Sequence, residues 1–253
     1  MLAGDILELS PDGTVERAHV GEVAAVFRPR SRGGMVIAIE RGLALTETDD
    51  LHASVLAAPE LWSDPNERMN EGGCDPAGAF YAGTTTYDHL PGGARLQRFD
   101  ADLVPHPVLD DVTVSNGIEW SPDLGTAYYV DSTTRRVDRF SWTPELGLHD
   151  RRLFVTIDVG EPDGLTVDAE GGVWVALWGG STVHRYEPDG SLSEVVALPV
   201  RQVSAVAFYG EALDRLMITT SRKGLGGDAE PSAGALFTAD VGVRGMPVRE
   251  FSG

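Results

Sequence analysis

A turn glycine recurs along this chain at a nearly constant interval. Gly34, Gly78, Gly125 and Gly172 are separated by 44, 47 and 47 residues. Leu165 and Val167 before the turn at Gly172, and Val173, Val175 and Leu177 after it, alternate with their neighbours, the pattern of half-buried β-strands. The same hairpin unit recurs at the other three glycines. A period of about 40 to 50 residues with about four strands in each period is typical of a β-propeller. The sequence therefore predicts a series of similar four-stranded blades.

The blade halves can be counted along the chain. Five first hairpins align on their turns, at residues 28–39, 75–82, 121–130, 161–180 and 209–218. Second strand pairs are predicted at residues 4–18, 43–57, 94–109, 136–155, 182–197 and 235–251. Six second halves against five first halves predict one domain over residues 1–253. Its fold class is all-β, a six-bladed β-propeller with four antiparallel strands per blade and a first blade incomplete at the N-terminus. A two-layer sandwich is the alternative, but it gives no reason for so even a repeat.

Composition restricts the classes of partner. The formal net charge of −19 argues against nucleic acid, because phosphate binding needs clustered Lys and Arg. No apolar run approaches the roughly 18 residues of a membrane span. The single cysteine, Cys74, excludes an internal disulfide framework and favours a reducing, cytoplasmic location. The oligomeric state stays undetermined.

Equivalent positions in the repeats carry oxygen-bearing side chains. In a propeller the first strand of each blade lines a central channel, and its leading residue lies at one mouth. Counting back five residues from the turns that begin at residues 28, 75, 121, 168 and 209 gives Val23, Asn70, Asn116, Asp163 and Ser204. We expect the two asparagines and the aspartate among them to converge at one mouth. Their amide and carboxylate oxygens are hard ligands suited to Ca²⁺, Mg²⁺ or Mn²⁺.

A structural interpretation of the same residues stays open. Asn-Gly at residues 116–117 and Asp-Gly at residues 163–164 are ordinary turn dipeptides. Their shared place in the repeat favours the functional interpretation. Arg68, two residues before Asn70, supplies a fixed cation suited to orienting a substrate oxygen. Asp88 follows the strand of residues 80–84, and the pattern alone does not assign it a role.

Three ordered motifs resemble the SMP-30/gluconolactonase/luciferin-regenerating-enzyme-like family. The stretch RMNEGGCDPAGAFYAGT at residues 68–84 is similar to that family's R-x-N-D-G-x-x-D-P-x-G signature. SNGIEWSPD at residues 115–123 and PDGLTVDAEGGVWVA at residues 162–176 are similar to its next two signatures, in the same order. A fourth similar stretch lies at residues 203–220, so the resemblance covers roughly residues 4 to 251.

The resemblance implies a six-bladed propeller that binds one divalent metal ion and hydrolyses sugar lactones. It places Asn116 and Asp163 on metal ligands and Arg68 and Asn70 on substrate-binding positions. Asp88 falls where some relatives contact the substrate with a Glu. Two departures stand out: Glu71 replaces the usual Asp, and the family's first ligand, a Glu in an N-terminal Gly-Glu-x-Pro segment, has no counterpart.

The expected activity is that of a divalent-metal-dependent lactonase acting on a small-molecule lactone. Ca²⁺ is favoured over Mg²⁺, Mn²⁺ and Zn²⁺, and Asp163 is the expected catalytic acceptor of the water proton. The alternatives are a non-catalytic propeller that binds a ligand or partner, and a related metal-dependent esterase. The esterase would differ in pocket loops such as residues 221–231. The uneven count of blade halves further predicts that a segment carrying the missing Glu precedes Met1.

Overall fold

The computed structural model describes residues 1–10, 12–50 and 52–253. The chain divides into two compact units. The first unit contains residues Met1–Ser115 and Val248–Gly253, and the second contains residues Asn116–Pro247. Every pair of neighbouring strands whose register the structure describes is antiparallel, as the predicted hairpins require.

The first unit contains three sheets. A two-stranded sheet has the order β1-β2, and two four-stranded sheets have the orders β3-β4-β5-β6 and β7-β8-β9-β10. The strands are β1 Asp5–Leu9, β2 Val15–His19, β3 Ala24–Pro29, β4 Met35–Ile39, β5 Leu43–Leu45, β6 Leu56–Ala57, β7 Glu67–Cys74, β8 Phe80–Thr86, β9 Ala94–Phe99 and β10 Pro105–Val112.

The second unit continues the same meander in three further sheets. Two have four strands, β11-β12-β13-β14 and β15-β16-β17-β18, and the last has three, β19-β20-β21. Short 3₁₀ helices follow β12, at Ser132–Thr134, and β20, at Gly226–Asp228. The strands are β11 Ser115–Trp120, β12 Thr126–Asp131, β13 Arg136–Thr143, β14 Gly147–Thr156, β15 Glu161–Val167, β16 Val173–Trp178, β17 Thr182–Tyr186, β18 Leu192–Ala197, β19 Val203–Tyr209, β20 Arg215–Thr220 and β21 Leu236–Asp240.

The core of each unit lies between successive sheets. In the first unit Val36 and Leu43 of one sheet pack with Met69, Phe80 and Phe99 of the next. In the second unit one cluster joins β12 to β17, and another joins β16 and β17 to β19 and β20. The inner strand β16 is an unbroken apolar run, buried at its first five residues, whereas the outer strand β18 has exposed and half-buried positions. Apolar residues therefore concentrate on the strands that neighbouring sheets cover.

The prediction of six blades is wrong in its count. Among the described residues, five sheets have three or four strands. Residues 5–19 form a two-stranded hairpin, at the place where the sequence predicted an incomplete first blade. The hairpins predicted as first halves are all present, and so are five of the six second halves.

The sixth second half, predicted at residues 235–251, supplies one strand, β21, instead of two. Gly245 bridges to Asp168 within the second unit, and Phe251 bridges in parallel to Arg30 within the first. A Cβ at Gly245 would lie 2.3 Å from the Cβ of Phe208, so that segment packs closely on β19. Phe251 is fully buried and contacts Phe80 edge-on, at 6.3 Å between ring centroids. Packing against other sheets therefore replaces a fourth strand.

Candidate functional site

β-Bulges lie at three of the predicted leading residues of the first strands. The ladder register shifts between Met69 and Glu71, around Asn70, and between Pro162 and Leu165, around Asp163. A third shift, between Val203 and Ala205, lies around Ser204. A bulge leaves a residue out of the ladder and redirects its side chain, and bulges are frequent beside active sites. The predicted positions are therefore structurally distinct within their strands.

The bulge in β3 corrects one of the aligned positions. The register shifts between Ala24 and Val26, so Ala25 is the equivalent residue, and Val23 lies before the strand. The turn after β3 begins at Arg30, whose N–H donates to the Gly34 carbonyl oxygen at 2.9 Å. The sequence alignment placed this turn at Arg28. The equivalent residue is Asp75, Ser121 or Asp168 in three other repeats, and the arginine here lacks their turn signal, which explains the two-residue error.

Arg68 and Asn70 are neighbours on β7 in the first unit. Arg68 is buried, with only 4% of the residue exposed. Its Nη1 donates to the Met69 carbonyl oxygen and to Asn70 Oδ1, at 2.9 Å each, and lies 3.4 Å from Met1 Sδ. Asn70 Nδ2 donates to the Ser115 carbonyl oxygen at 2.8 Å. The structure thus brings these two predicted substrate residues together.

One edge of the Arg68 guanidinium is not used. All its described hydrogen bonds leave from Nη1, and the buried Nε has no partner among the described residues. A buried, unsatisfied N–H is costly, and native proteins rarely leave one without a reason. The Nε–Nη2 edge is also the part of arginine that binds paired oxygens bidentately. The arrangement is chemically suited to an oxygen-rich ligand.

Asp88 lies two residues beyond the end of β8 and is exposed. Its Oδ1 accepts a hydrogen bond from Asn66 Nδ2 at 2.9 Å. Hydrogen bonds from Asn66 and then Thr86 lower the pKa of the Asp88 carboxyl. Asp88 is therefore an ionised hydrogen-bond acceptor at neutral pH, and its described side-chain partners are Asn66 and Thr86, and not Arg68.

Asn116 and the residue before Asp163 are linked through a hydroxyl group in the second unit. Asn116 Nδ2 donates to Ser132 Oγ at 2.6 Å, and Ser132 Oγ donates to the Pro162 carbonyl oxygen at 2.6 Å. Asn116 and Ser132 are buried, and Asp163 is half-buried. The amide group of Asn116 is therefore oriented by its nitrogen, which makes Oδ1 its acceptor end.

Two glycines allow the first strands of the second unit to approach. A Cβ at Gly117 would lie 2.4 Å from Leu165 N and 3.1 Å from the Asp163 carbonyl oxygen. A Cβ at Gly164 would lie 2.7 Å from Ala205 Cβ. Any other residue would separate the strands. Asn-Gly and Asp-Gly are common turn dipeptides, but Gly117 and Gly164 lie within strands here. They allow neighbouring strands to lie close together.

The donor set fits a hard cation. Asn116 and Asp163 offer an amide and a carboxylate oxygen, the ligands that Ca²⁺ prefers. Asn70 fits less well, because its Oδ1 already faces the Arg68 cation. No group of three His, Cys, Asp or Glu side chains suited to a metal occurs in the described ranges. The joint convergence of Asn70, Asn116 and Asp163 stays a prediction.

Two turn aspartates of the family-like motifs, Asp75 and Asp168, have structural roles. Asp168 is fully buried, and its Oδ1 accepts from the backbone N–H groups of Glu170 and Gly172. Its Oδ2 accepts from Trp174 Nε1 at 2.9 Å and Arg185 Nε at 2.8 Å. Asp75 closes the equivalent turn of the first unit in the same way. These carboxylates fix hairpins and are not free for chemistry.

Glu71, the substituted motif residue, is held beside Arg28. Burial raises the pKa of the Glu71 carboxyl, and the charge of Arg28 opposes that rise. Its Oε1 accepts a 3.3 Å contact from the Gly72 N–H, while Arg28 Nη2 donates to the Gly72 carbonyl oxygen at 2.6 Å. The longer side chain is accommodated by this local contact.

Sequence reasoning missed Glu40, Tyr87 and Ser132. Tyr87 Oη donates to Glu40 Oε1 at 2.7 Å, and the Arg68 Cζ lies 5.5 Å from the Tyr87 ring centroid. All three residues directly follow the second strand of a repeat, β4, β8 or β12. That shared position is a signal that alignment of the strand ends, in addition to the turns, would have detected.

Comparison with known proteins identifies the family. A profile described as the SMP-30/Gluconolactonase/LRE-like region matches residues 1–222. The chain belongs to this family. The family resemblance of the motifs and the all-β propeller fold class are thereby confirmed. No helix in the described part of the chain has the length and apolarity needed to cross a membrane.

Three similar proteins place the chain within the family. A 6-deoxy-6-sulfogluconolactonase of Pseudomonas putida is 33% identical over 260 residues, which cover 100% of this chain and 89% of that protein. The structure of a luciferin-regenerating enzyme has a TM-score of 0.91 and 27% identity, covering 99% of this chain and 89% of that one. A calcium-binding protein, regucalcin, from Agrobacterium tumefaciens has a TM-score of 0.91 and 29% identity, covering 99% and 87%.

Proposed function

We propose that this member of the SMP-30/gluconolactonase family is a divalent-metal-dependent lactonase that opens sugar lactones. The observation that carries the proposal is the unused Nε–Nη2 edge of buried Arg68. A sugar lactone presents adjacent oxygens that match this edge. The sulfogluconolactonase relative acts on a lactone of this class by its name, which supports the same reaction type here.

The residues divide into two groups by chemistry. Arg68 donates to substrate oxygens, Asn70 holds Arg68 Nη1, and ionised Asp88 accepts from a substrate hydroxyl. Asn116 and Asp163 would hold the metal through Oδ1 of the amide and the carboxylate oxygens. A divalent cation there would supply positive charge that favours the developing oxyanion and the ionisation of water. Ca²⁺ is the preferred ion, given the hard oxygens and the calcium-binding regucalcin neighbour.

The proposed reaction is hydrolysis of the ester bond within the ring. The oxygen of water forms a bond to the carbonyl carbon, and the bond from that carbon to the ring oxygen breaks. Asp163 takes the water proton on a carboxylate oxygen and returns it to the departing ring oxygen. Arg68 holds the substrate oxygens throughout, so that the reacting atoms stay in place. The product is the open hydroxy acid, and no redox partner is needed.

The test is a substrate panel after metal removal. The protein is treated with EDTA, dialysed and assayed with sugar lactones, simple lactones and aryl esters, before and after adding Ca²⁺, Mg²⁺, Mn²⁺ or Zn²⁺ in turn. We expect sugar-lactone hydrolysis to disappear on chelation and to return best with Ca²⁺. Preferred ester hydrolysis would favour the esterase alternative. No hydrolysis with any ion would leave the non-catalytic binding alternative.

A matched pair of arginine variants tests the role of the guanidinium edge. Arg68→Lys keeps a positive charge but lacks the planar fork. Losing charge-assisted hydrogen bonds worth about 1.5 to 3 kcal/mol should lower kcat/KM about 10- to 100-fold. The exposed Arg32→Lys provides the control and should keep the parental value. Equal kinetics in the two variants would contradict the assignment of Arg68.

A further inference from the structure

Arg68 lies over an aromatic ring that the family motif does not include. Its Cζ is 5.5 Å from the centroid of Tyr87, within the range of a cation–π interaction. Tyr87 is 45% exposed, so its ring is a surface support and not part of the apolar core. Tyr87 belongs to none of the described apolar clusters, so removal of its ring would leave them intact.

The Tyr87 ring is fixed at both ends. Its hydroxyl donates to Glu40 Oε1 at 2.7 Å, and its backbone N–H donates to the Asn66 carbonyl oxygen at 2.8 Å. Glu40 is itself held, because Arg41 Nη1 donates to its Oε2 at 2.9 Å. The Glu40 carbonyl oxygen also accepts from the Met69 N–H at 2.8 Å, next to Arg68 in the chain.

These two residues stabilise the Arg68 cation without occupying its fork. Burial lowers the pKa of Arg68, and the nearby Tyr87 and Glu40 oppose that effect. Burial and the Glu40 carboxylate raise the pKa of the Tyr87 hydroxyl, which therefore stays protonated and continues to donate. Among the described ion pairs none includes Arg68. A carboxylate bound directly to the guanidinium would fill the edge that a substrate needs.

We propose that Tyr87 and Glu40 are positioning residues for Arg68. The ring supports the guanidinium plane, and Glu40 anchors the ring, so that the Nε–Nη2 edge stays available to lactone oxygens. The proposal rests on the proposed function, since it assigns Arg68 to the substrate. It extends the substrate site to two residues outside the family-like motif.

Three variants and one control separate the contributions. Tyr87→Leu removes the ring, Tyr87→Phe removes only the hydroxyl, and Glu40→Gln removes the charge. We expect Tyr87→Leu to raise KM for a sugar lactone about 2- to 30-fold, from a cation–π interaction of about 0.5 to 2 kcal/mol. Its kcat should change less than KM. The other two variants should give smaller increases of the same kind.

Tyr209→Leu is the matched control. It removes an equivalent ring, which lies 4.6 Å from the Arg215 Cζ, at a position with no assigned substrate role. We expect the parental KM and kcat. An equal rise of KM in Tyr209→Leu and Tyr87→Leu would overturn the proposal, because the effect would then be general.

A spectroscopic readout keeps this test independent of activity. The Nε–Hε NMR signal of Arg68 is assigned by its disappearance in Arg68→Lys, and the Tyr87 ring current should displace it. We expect the signal to shift in Tyr87→Leu but not in Tyr209→Leu. An unmoved signal would overturn the positioning role, whether or not the protein hydrolyses lactones. A shifted signal with parental KM would overturn the link to substrate while leaving the lactonase proposal intact.

Discussion

Arg68 is a buried cation that takes part in none of the described ion pairs. A guanidinium removed from water normally finds a carboxylate partner, because unpaired buried charge is costly. Arg68 instead has one nitrogen bound to main-chain and side-chain oxygens and a buried Nε with no described partner. The Asp168 carboxylate, by contrast, accepts all its described hydrogen bonds from residues of its own sheet and turn. Ligand binding would account for the first arrangement, and hairpin stability accounts for the second.

Asp163→Asn tests the proposed proton acceptor. The substitution keeps the shape but removes the charge and the basic oxygen, so we expect lactonase kcat to fall about 10²- to 10⁴-fold. The thermal midpoint should change little, since the half-buried side chain lies in the bulge of β15 and not in an apolar cluster. Initial rates with sugar lactone and a thermal melt measure the two quantities.

The control for this substitution is Asp189→Asn in the same unit. Asp189 is exposed in the turn between β17 and β18, where it accepts from the Ser191 N–H and hydroxyl. It should keep the parental kcat. Turnover in Asp163→Asn close to that of Asp189→Asn would show that the proton is taken elsewhere.

At the scale of the strands, bulges and small residues set the geometry of the site. β11 approaches β15 at Gly117, and β15 approaches β19 at Gly164, with no room for a Cβ at either place. Bulges in β7 and β15 lie at the residues predicted to act on substrate and metal. Regular ladders would turn these side chains by the normal alternation of a strand, so the irregularity is part of how the site is built.

Gly117→Ala tests this strand contact. The added methyl group would meet Leu165 N at 2.4 Å, which forces β11 and β15 apart. We expect a loss of about 1 to 3 kcal/mol in the free energy of unfolding, as for other overpacked sites. Lactonase activity should fall as well, because Asn116 and Asp163 flank the contact. Urea unfolding and the lactone assay measure both.

Gly227→Ala is the matched control for the strand contact. No heavy atom lies within 4 Å of a Cβ built there, so the free energy of unfolding should stay within about 0.5 kcal/mol of the parent. If Gly117→Ala is as stable as Gly227→Ala, the close approach has no energetic consequence.

At the scale of the whole molecule, charge should select among lactones. A net charge of −19 repels anionic substrates, and the effect weakens as salt shortens the screening length to about 10 Å at 0.1 M. We expect kcat/KM for a 6-sulfonated sugar lactone to rise about 2- to 10-fold between low and physiological salt. The value for the neutral sugar lactone should stay nearly constant. Equal salt dependence of the two substrates would mean that net charge plays no part.

Much of the fold was accessible from local sequence patterns. The hairpins over residues 67–86, 115–131, 161–178 and 203–220 follow from short strand-like runs on both sides of recurring turns, a pattern that depends only on neighbouring positions. The motifs around Arg68, Asn116 and Asp163 likewise identified the family. The prediction of a strand pair at residues 235–251 failed because it assumed that every strand pairs within its own repeat. Gly245 and Phe251 instead pair with residues far away in sequence.

The sequence by itself determined the repeat, the family and the candidate residues, because short motifs at regular spacing identify each of them. Only the tertiary structure decided how those residues are held. The partners of Arg68 illustrate this, because Glu40 and Tyr87 are 28 residues before and 19 residues after it, and no local pattern links them. Such contacts depend on how successive strands pack and where their ladders are bulged. Side-chain packing between repeats, and not the repeat itself, therefore left the guanidinium edge of Arg68 unused.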